Sequence, residues 1–182
     1  MKQTIRIIGG LYRGKKILFP ESEGLRPTSD RVRETLFNWL MQDIRGARCL
    51  DAFAGSGALG LEAFSRGASQ VDFLEQSPMV YNHLNKIINS FNSPIMHALK
   101  TNALDYLKRH QSPYDIIFLD PPFTLSLIPQ CLQIINESNL LEEDGLVYLE
   151  SPNIQDFENS SWKQIKLKQA GQVFYGLLRK HH

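Results

Sequence analysis

The chain has little cysteine, almost no net charge and no long apolar segment. Its only cysteines, Cys49 and Cys131, lie in apolar stretches without paired or metal-ligand spacing, which argues against a disulfide framework or a zinc site. No apolar run reaches the ~18 residues of a membrane span, and no cleavable leader is recognisable. We therefore expect a cytoplasmic protein without membrane contact. The 182 residues, 42% hydrophobic, are enough for one main globular domain.

The net charge of +1 hides an uneven distribution. Residues 1–33 contain eight lysines and arginines against three acidic residues, a local charge of +5, so the rest of the chain carries −4. A basic arm on a mildly acidic body predicts a polyanionic partner held at one end of the molecule.

A glycine turn follows the apolar run at residues 47–50. Gly55, Gly57 and Gly60 have the spacing of a dinucleotide fingerprint, in which a strand ends in a tight turn and a helix begins. Asp51 places a carboxylate beside this turn, where it would repel a pyrophosphate but attract a cation. The pattern therefore favours S-adenosylmethionine, which carries an ammonium and no phosphate, over NAD.

Alternating strand and helix patterns fill most of the remaining chain and predict an α/β fold with a doubly wound parallel sheet. Residues 162–167 and 173–178 are joined by a connection too short for a crossover helix, so we expect a terminal antiparallel hairpin. Two short β-prone runs at residues 4–8 and 16–19 predict a small N-terminal β extension.

Four polar residues end successive predicted strands or begin the loops after them: Asp51, Glu75, Asn102 and Asp120. In open α/β sheets the ligand crevice lies outside the carboxyl ends of the strands. We therefore expect these side chains to meet at one edge of the sheet. Glu75 is in the position where a carboxylate accepts ribose hydroxyl groups.

The segment Asp120-Pro-Pro-Phe123 has the composition of a site for an amino group on a planar base. The two prolines lack N–H donors and stiffen the backbone, so neighbouring carbonyls can serve as fixed acceptors. Asp120 and such a carbonyl could accept the two hydrogens of an exocyclic amine, and Phe123 could stack on its ring. Positioning the amine is the main predicted contribution; whether Asp120 also accepts a proton is left open.

Several motifs together resemble the bacterial RsmD family of 16S rRNA guanine-N2 methyltransferases. They are residues 6–10, residues 13–14, Gly24-Leu-Arg-Pro-Thr28, residues 30–38, residues 51–62 and Asp120-Pro-Pro-Phe123. The resemblance implies a class I methyltransferase domain, at residues 25–182, preceded by a basic β-hairpin extension at residues 1–24. It also implies S-adenosylmethionine as cofactor, with S-adenosylhomocysteine as product. The implied partner is 16S rRNA in the small ribosomal subunit or its assembly intermediate, and a monomer is expected.

The resemblance assigns a role to each matching residue. Asp120, Pro121, Pro122 and Phe123 would be catalytic. The cofactor would be bound by Asp51, Ala52, Phe53, Ala54, Gly55, Ser56, Gly57, Glu75, Asn102 and Ala103. RNA contacts are expected from Arg6, Arg13, Lys15, Lys16, Arg26, Arg31 and Arg33, and no metal is expected. Asn102 departs from the aspartate found at this position in many methyltransferases.

Four other functions compete with this assignment. Adenine-N6 DNA methyltransferases and glutamine-N5 protein methyltransferases also use an Asn/Asp-Pro-Pro-aromatic motif, although a DNA enzyme normally needs an added recognition segment. An RNA-binding assembly factor could retain the cofactor pocket. An NAD-dependent oxidoreductase is disfavoured by Asp51 and by the lack of an evident acid or base at a hydride site.

Overall fold

Strands and helices alternate through most of the computed structural model, which describes residues 2–20, 28–158 and 160–181. The strands are β1 (Lys2–Arg6), β2 (Lys16–Pro20), β3 (Arg48–Asp51), β4 (Gln70–Glu75), β5 (Met96–Lys100), β6 (Tyr114–Leu119), β7 (Leu141–Ser151), β8 (Trp162–Ala170) and β9 (Val173–Lys180). The helices are α1 (Asp30–Trp39), α2 (Ala58–Ser65), α3 (Pro78–Ser90), α4 (Ala103–Arg109) and α5 (Ile128–Asn136), with short 3-10 turns at Phe123–Leu125 and Ile154–Phe157.

The main sheet has seven strands in the order β5-β4-β3-β6-β7-β9-β8. Strands β3 to β7 run parallel, whereas β9 is antiparallel to both β7 and β8. The order reverses between β3 and β6, which is the position where open α/β sheets form their ligand crevice. The predicted doubly wound sheet with a terminal antiparallel hairpin is therefore confirmed.

Helices cover both faces of this sheet. In β6, Ile116 and Phe118 pack with α1, α2 and α3, while Ile117 and Leu119 pack with α4 and α5. Neighbouring strand residues thus enter opposite cores, which is why this strand is a continuous apolar run in the sequence. Strand β7 begins at Leu141, five residues before the apolar run at Leu146, and exposed acidic residues occupy its first half.

Local capping fixes where the helices begin. The Ser29 side chain accepts a hydrogen bond from the Val32 N–H at the start of α1. Pro78 occupies the first turn of α3, where its missing N–H costs nothing. The Asn102 side chain caps α4 by accepting from the Asp105 N–H. Two of these helices, α3 and α4, begin directly after the carboxyl ends of β4 and β5.

The N-terminal hairpin, β1 with β2, is attached to α2 through hydrogen bonds to Ser65 and through a buried carboxylate. Glu62 has no exposed surface, and it accepts hydrogen bonds from the backbone N–H groups of Ile8 (2.9 Å) and Gly9 (2.8 Å). Arg66 donates to the same carboxylate from Nε at 2.8 Å, and Arg33 from its guanidinium at 3.5 Å. Because two backbone donors and two guanidinium groups surround it, this charge is stabilised without water.

The predicted RNA contact at Arg33 is wrong. The Arg33 side chain is only 1% exposed and its guanidinium donates to Asp30 (2.6 Å), to Glu62 and to the backbone carbonyl of Arg6 (3.0 Å). On α1, Arg33 faces the N-terminal hairpin. Arg33 is therefore a structural ion-pair partner.

The hairpin also shares the main hydrophobic core, since Ile7 and Ile17 pack among residues of α1, α2 and the sheet. The predicted boundary between residues 24 and 25 lies outside the described residues, as does Arg26. Within the described ranges, none of the helices combines the length and apolarity needed to cross a membrane.

Replacing Glu62 by alanine should destabilise the protein by about 3 kcal/mol or more, because two backbone donors and a buried arginine would lose their acceptor. Urea denaturation followed by circular dichroism measures the change. Glu34→Ala, an exposed acid on α1, is the matched control and should change stability by less than about 0.5 kcal/mol. Equal stability of the two variants would contradict this role for Glu62.

Candidate active site

A cavity of about 1410 Å³ opens at the carboxyl edge of the sheet. The residues predicted for the cofactor and for the target base line it together: Asp51, Ala52, Phe53, Ala54, Gly55, Ser56, Glu75, Asn102, Ala103, Asp120, Pro121, Pro122 and Phe123. Side chains separated by up to 72 positions in sequence thus face one volume. Gln3, Ser29 and Val32 add a wall from the N-terminal part of the chain.

Gly57 shapes the turn without lining the cavity. It has a φ of +79° and precedes α2, and a Cβ atom at this position would lie 2.6 Å from the Leu84 side chain. Gly60 allows α2 to approach the sheet, because a Cβ there would lie 2.2 Å from the Phe73 ring. Close backbone approach therefore explains two of the three glycines in the fingerprint.

Asp51 is held at the end of β3 with only 2% of its surface exposed. One of its oxygens accepts a hydrogen bond from the Gly60 N–H at 3.0 Å. Burial raises its pKa to about 7, the Gly60 hydrogen bond opposes this shift, and the Glu75 charge adds to it. When a buried carboxyl group has a pKa near 7, a cation placed beside it stabilises the ionised form.

Glu75 organises the next loop. Its two oxygens accept hydrogen bonds from the backbone N–H groups of Gly55 (3.1 Å) and Ser77 (2.7 Å). Carboxylate oxygens have further lone pairs, so Glu75 can still accept ligand hydroxyl groups. Asn102 donates to the Gln76 side chain at 3.0 Å while its oxygen caps α4, so its amide is already engaged by protein groups.

The segment after β6 separates its polar and aromatic parts. Asp120 lies at the inner wall of the cavity, whereas Phe123 begins a 3-10 turn and is 43% exposed. Leu125, in the same turn, is also exposed. The turn ends at Ser126, which has a φ of +47°. This arrangement presents an apolar ring at the cavity mouth beside a buried acceptor.

Thr28, which was not predicted as a site residue, also lines the cavity. Its hydroxyl oxygen lies 2.8 Å from Glu150 and 3.2 Å from Asp120. Glu150, at the end of β7, also accepts a hydrogen bond from the Tyr148 hydroxyl at 2.7 Å. The sequence pattern places Glu150 at the end of a strand, either near the pocket or in a structural hydrogen bond, and in the structure it lines the cavity.

The cavity is acidic. Four carboxyl groups line it, from Asp51, Glu75, Asp120 and Glu150, and no lysine, arginine or histidine of the described residues does. Burial, the Glu150 charge and the Asp51 charge raise the pKa of Asp120. A cavity lined by these four carboxyl groups disfavours a phosphate-bearing ligand and favours a cationic one.

The predicted RNA-binding residues on the N-terminal hairpin are exposed, at Arg6, Arg13, Lys15 and Lys16. Arg31 on α1 is exposed as well. Two of these are also engaged in packing: Arg6 pairs with Asp30 at 3.4 Å, and the Lys15 ammonium lies 3.9 Å from the centre of the Phe91 ring. Gln3 in β1 lines the cavity, whereas the loop with Lys15 packs against Phe91 at the C-terminal end of α3.

A second basic surface was not predicted. Residues 159–182 contain five lysines and arginines and no acidic residue. Lys163, Lys166 and Lys168 are exposed along β8, the edge strand of the sheet. Lys168 lies 6.0 Å from the Trp39 ring, which stacks on Tyr175, a cavity residue. A charge count over the C-terminal segment would have found this surface.

Comparison with known proteins identifies relatives along almost the whole chain. Ribosomal RNA small subunit methyltransferase D of Haemophilus influenzae is 44% identical over 181 residues, covering 97% of this chain and 94% of that protein. The structure of the putative methyltransferase yhhF from Escherichia coli is 40% identical with a TM-score of 0.88, covering 98% of this chain and 99% of that one.

A more distant structure, SMU.776, is a putative methyltransferase complexed with SAH. It is 18% identical with a TM-score of 0.69, covering 97% of this chain and 55% of its own, and shows the shared fold. The family described as Conserved hypothetical protein 95 matches residues 5–179. The chain therefore belongs to the family described as Conserved hypothetical protein 95, the RsmD family that its motifs resemble.

Proposed function

We propose that this protein transfers a methyl group from S-adenosylmethionine to the exocyclic N2 of one guanine in 16S rRNA of the small ribosomal subunit. The acidic cavity at the carboxyl edge of the sheet is the observation that carries this proposal. The relative from Haemophilus influenzae, named as a small-subunit rRNA methyltransferase, supports the choice of substrate.

The chemistry of the cavity fits S-adenosylmethionine better than a dinucleotide. Asp51 would face the ammonium of the cofactor, Glu75 its ribose hydroxyls, and the turn from Ala52 to Gly57 its methionine part. The residues at Asn102 and Ala103 would lie at the adenine edge. When bound, the cofactor supplies a methyl group on a positively charged sulfur, an electrophile that needs only a correctly placed nucleophile. The absence of a cationic side chain among the described lining residues argues against a pyrophosphate.

The acceptor half of the cavity fits a guanine. Asp120, with a carbonyl beside Pro121 and Pro122, would accept the two hydrogens of the N2 amine and hold it in one orientation. The exposed Phe123 ring would stack on the base. The amine lone pair is delocalised into the ring, so a fixed geometry that draws it out of conjugation supplies much of the rate.

The two basic surfaces would hold the RNA backbone outside the cavity. Phosphates are repelled by the four carboxyl groups inside and attracted by the exposed cations of the N-terminal hairpin and of β8. A base must therefore leave its stack to reach the methyl donor, as enzymes acting on nucleobases require. Lysines on an edge strand also discourage sheet extension, so the role of β8 in RNA binding is tested separately below.

Labelled S-adenosylmethionine offered with small subunits, naked 16S rRNA, DNA and ribosomal proteins should label only rRNA, at guanine N2. Asp120→Ala should lower this transfer by about 100-fold or more, since it removes the acceptor that positions the amine. Mass spectrometry of digested RNA locates the label. Asp144→Ala, an exposed acid on β7, is the control. Label confined to DNA or protein would overturn the proposed function.

The affinity for S-adenosylhomocysteine, which carries the same ammonium, should fall as the pH drops below about 7. Burial raises the pKa of Asp51 to about 7, and the ammonium requires the ionised carboxylate, so each further pH unit should cost about tenfold in affinity. Isothermal titration calorimetry from pH 5.5 to 8.5 measures this. Asp51→Asn should bind more weakly and without this pH dependence. A flat profile for the wild-type protein would contradict the assignment.

Neutralising Lys166 and Lys168 together should weaken rRNA binding and reduce the slope of log K against log salt by about 1.5, since each lost phosphate contact removes about 0.7 to 0.9. Filter binding at several salt concentrations measures the slope. The same result is expected for Arg13 and Lys16 in the N-terminal hairpin. Lys108→Gln with Arg109→Gln, at the end of α4 away from the cavity, is the matched control. An unchanged slope would remove the tested surface from the RNA interface.

A further inference from the structure

Thr28 links two acids, Asp120 directly after β6 and the buried Glu150 in β7. Its hydroxyl lies 2.8 Å from a Glu150 oxygen and 3.2 Å from an Asp120 oxygen. Both contacts are long-range in sequence, and Thr28 and Glu150 are almost fully buried. Three oxygen-bearing groups therefore share one small volume on the wall of the cavity.

The number of hydrogens in this cluster limits how it can be charged. A threonine hydroxyl has one hydrogen and donates to one acceptor. If both acids were ionised, the second contact would join an oxygen lone pair to a carboxylate without a proton between them. If one acid is protonated, it donates to Thr28 while Thr28 donates to the other acid, and both contacts are satisfied. The geometry thus indicates one shared proton.

The groups that surround Asp120 and Glu150 also favour one shared proton. Asp51 approaches from β3, Tyr148 lies on β7, and Tyr175 on β9 pairs with Glu150 across the ladder; no described cation lines this part of the cavity. Burial raises the pKa of Glu150, although its hydrogen bonds from Tyr148 and Thr28 partly offset this. Two close carboxyl groups without a counter-ion do not readily ionise together.

We propose that Glu150 and Thr28 are positioning residues for Asp120. The two acids share one proton across the Thr28 hydroxyl, and this proton resides on Glu150 while Asp120 accepts from the guanine amine. Glu150 then donates to Thr28, and Thr28 donates to Asp120, which fixes the carboxylate that faces the substrate. This inference rests on the proposed function and assigns residues that the Asp-Pro-Pro-Phe motif does not contain.

The proton balance of the transfer follows from this arrangement. A bond forms between guanine N2 and the methyl carbon, the sulfur–methyl bond breaks, and its electron pair stays on sulfur. The methylated nitrogen gives one of its protons to the Asp120 carboxylate. The acid pair then holds two protons and no charge, and it returns one proton to water when the product leaves. No other reactant is required.

Two pairs of variants test this arrangement. Glu150→Ala should lower kcat by about 100-fold, and Glu150→Gln should recover at least about tenfold of that loss, because a neutral amide donates to Thr28 as a protonated acid does. Thr28→Val should raise the acid limb of the kcat profile by about one pH unit, since Asp120 loses the hydroxyl that stabilises its ionised form. Thr28→Ser should restore the wild-type limb.

Infrared spectroscopy gives a readout that does not depend on turnover. The Asp51→Asn protein without cofactor or RNA, in which the Asp51 carboxyl group cannot contribute, should show the carbonyl band of a protonated carboxyl group near neutral pH, and adding Glu150→Gln should remove it. A band that persists in this variant would overturn the inference, as would equal inactivity of Glu150→Gln and Glu150→Ala or an unmoved acid limb in Thr28→Val. If Thr28→Val fails to fold, the Glu150 pair and the infrared band decide.

These outcomes separate the inference from the function on which it rests. A wild-type protein that methylates rRNA, with variants that disobey these expectations, would remove only the shared proton. A wild-type protein that does not methylate rRNA would remove the proposed function, while the infrared band would still report on the acid pair.

Discussion

A buried carboxylate, Glu62, is the constraint on which the cavity depends. A buried carboxylate needs hydrogen-bond donors. Glu62 accepts hydrogen bonds from the backbone of Ile8 and Gly9 in the hairpin and from Arg33 on α1. The helix that carries it begins directly after the glycine turn. The N-terminal hairpin, α1 and the glycine turn are therefore held in one arrangement. Gln3, Ser29 and Val32 form a wall of the cavity as a result.

Charge separation gives this arrangement its selectivity. Carboxyl groups are concentrated inside the cavity, and exposed lysines and arginines lie on the N-terminal hairpin and on β8. Coulombic forces would then act in opposite directions on the two parts of one substrate, repelling the phosphates from the cavity and drawing them to its rim. A cationic methyl donor and an uncharged base are compatible with the interior, and a polyanionic chain is compatible with the exterior.

The strand-ending acids could be predicted because their position depends on local pattern: an apolar run covered on both faces must end where the chain turns, and parallel strands end at one edge. Asp51, Glu75 and Asp120 follow this rule. Arg33 and Thr28 do not, because Glu62, a partner of Arg33, is 29 residues away and Glu150, a partner of Thr28, is 122 residues away. A helical arginine resembles any surface charge until the hairpin above it is known. The basic edge strand was visible in composition but was hidden by the overall balance of charge.

The contact between Thr28 and Glu150 joins positions separated by 122 residues, and β9 reaches its place between β7 and β8 only near the end of the chain. A polypeptide growing from a ribosome would consequently carry the whole glycine turn long before Glu150 and Tyr175 could complete the wall of the cavity. Chain fragments that end before β7 would therefore have the first half of the cavity and lack the second.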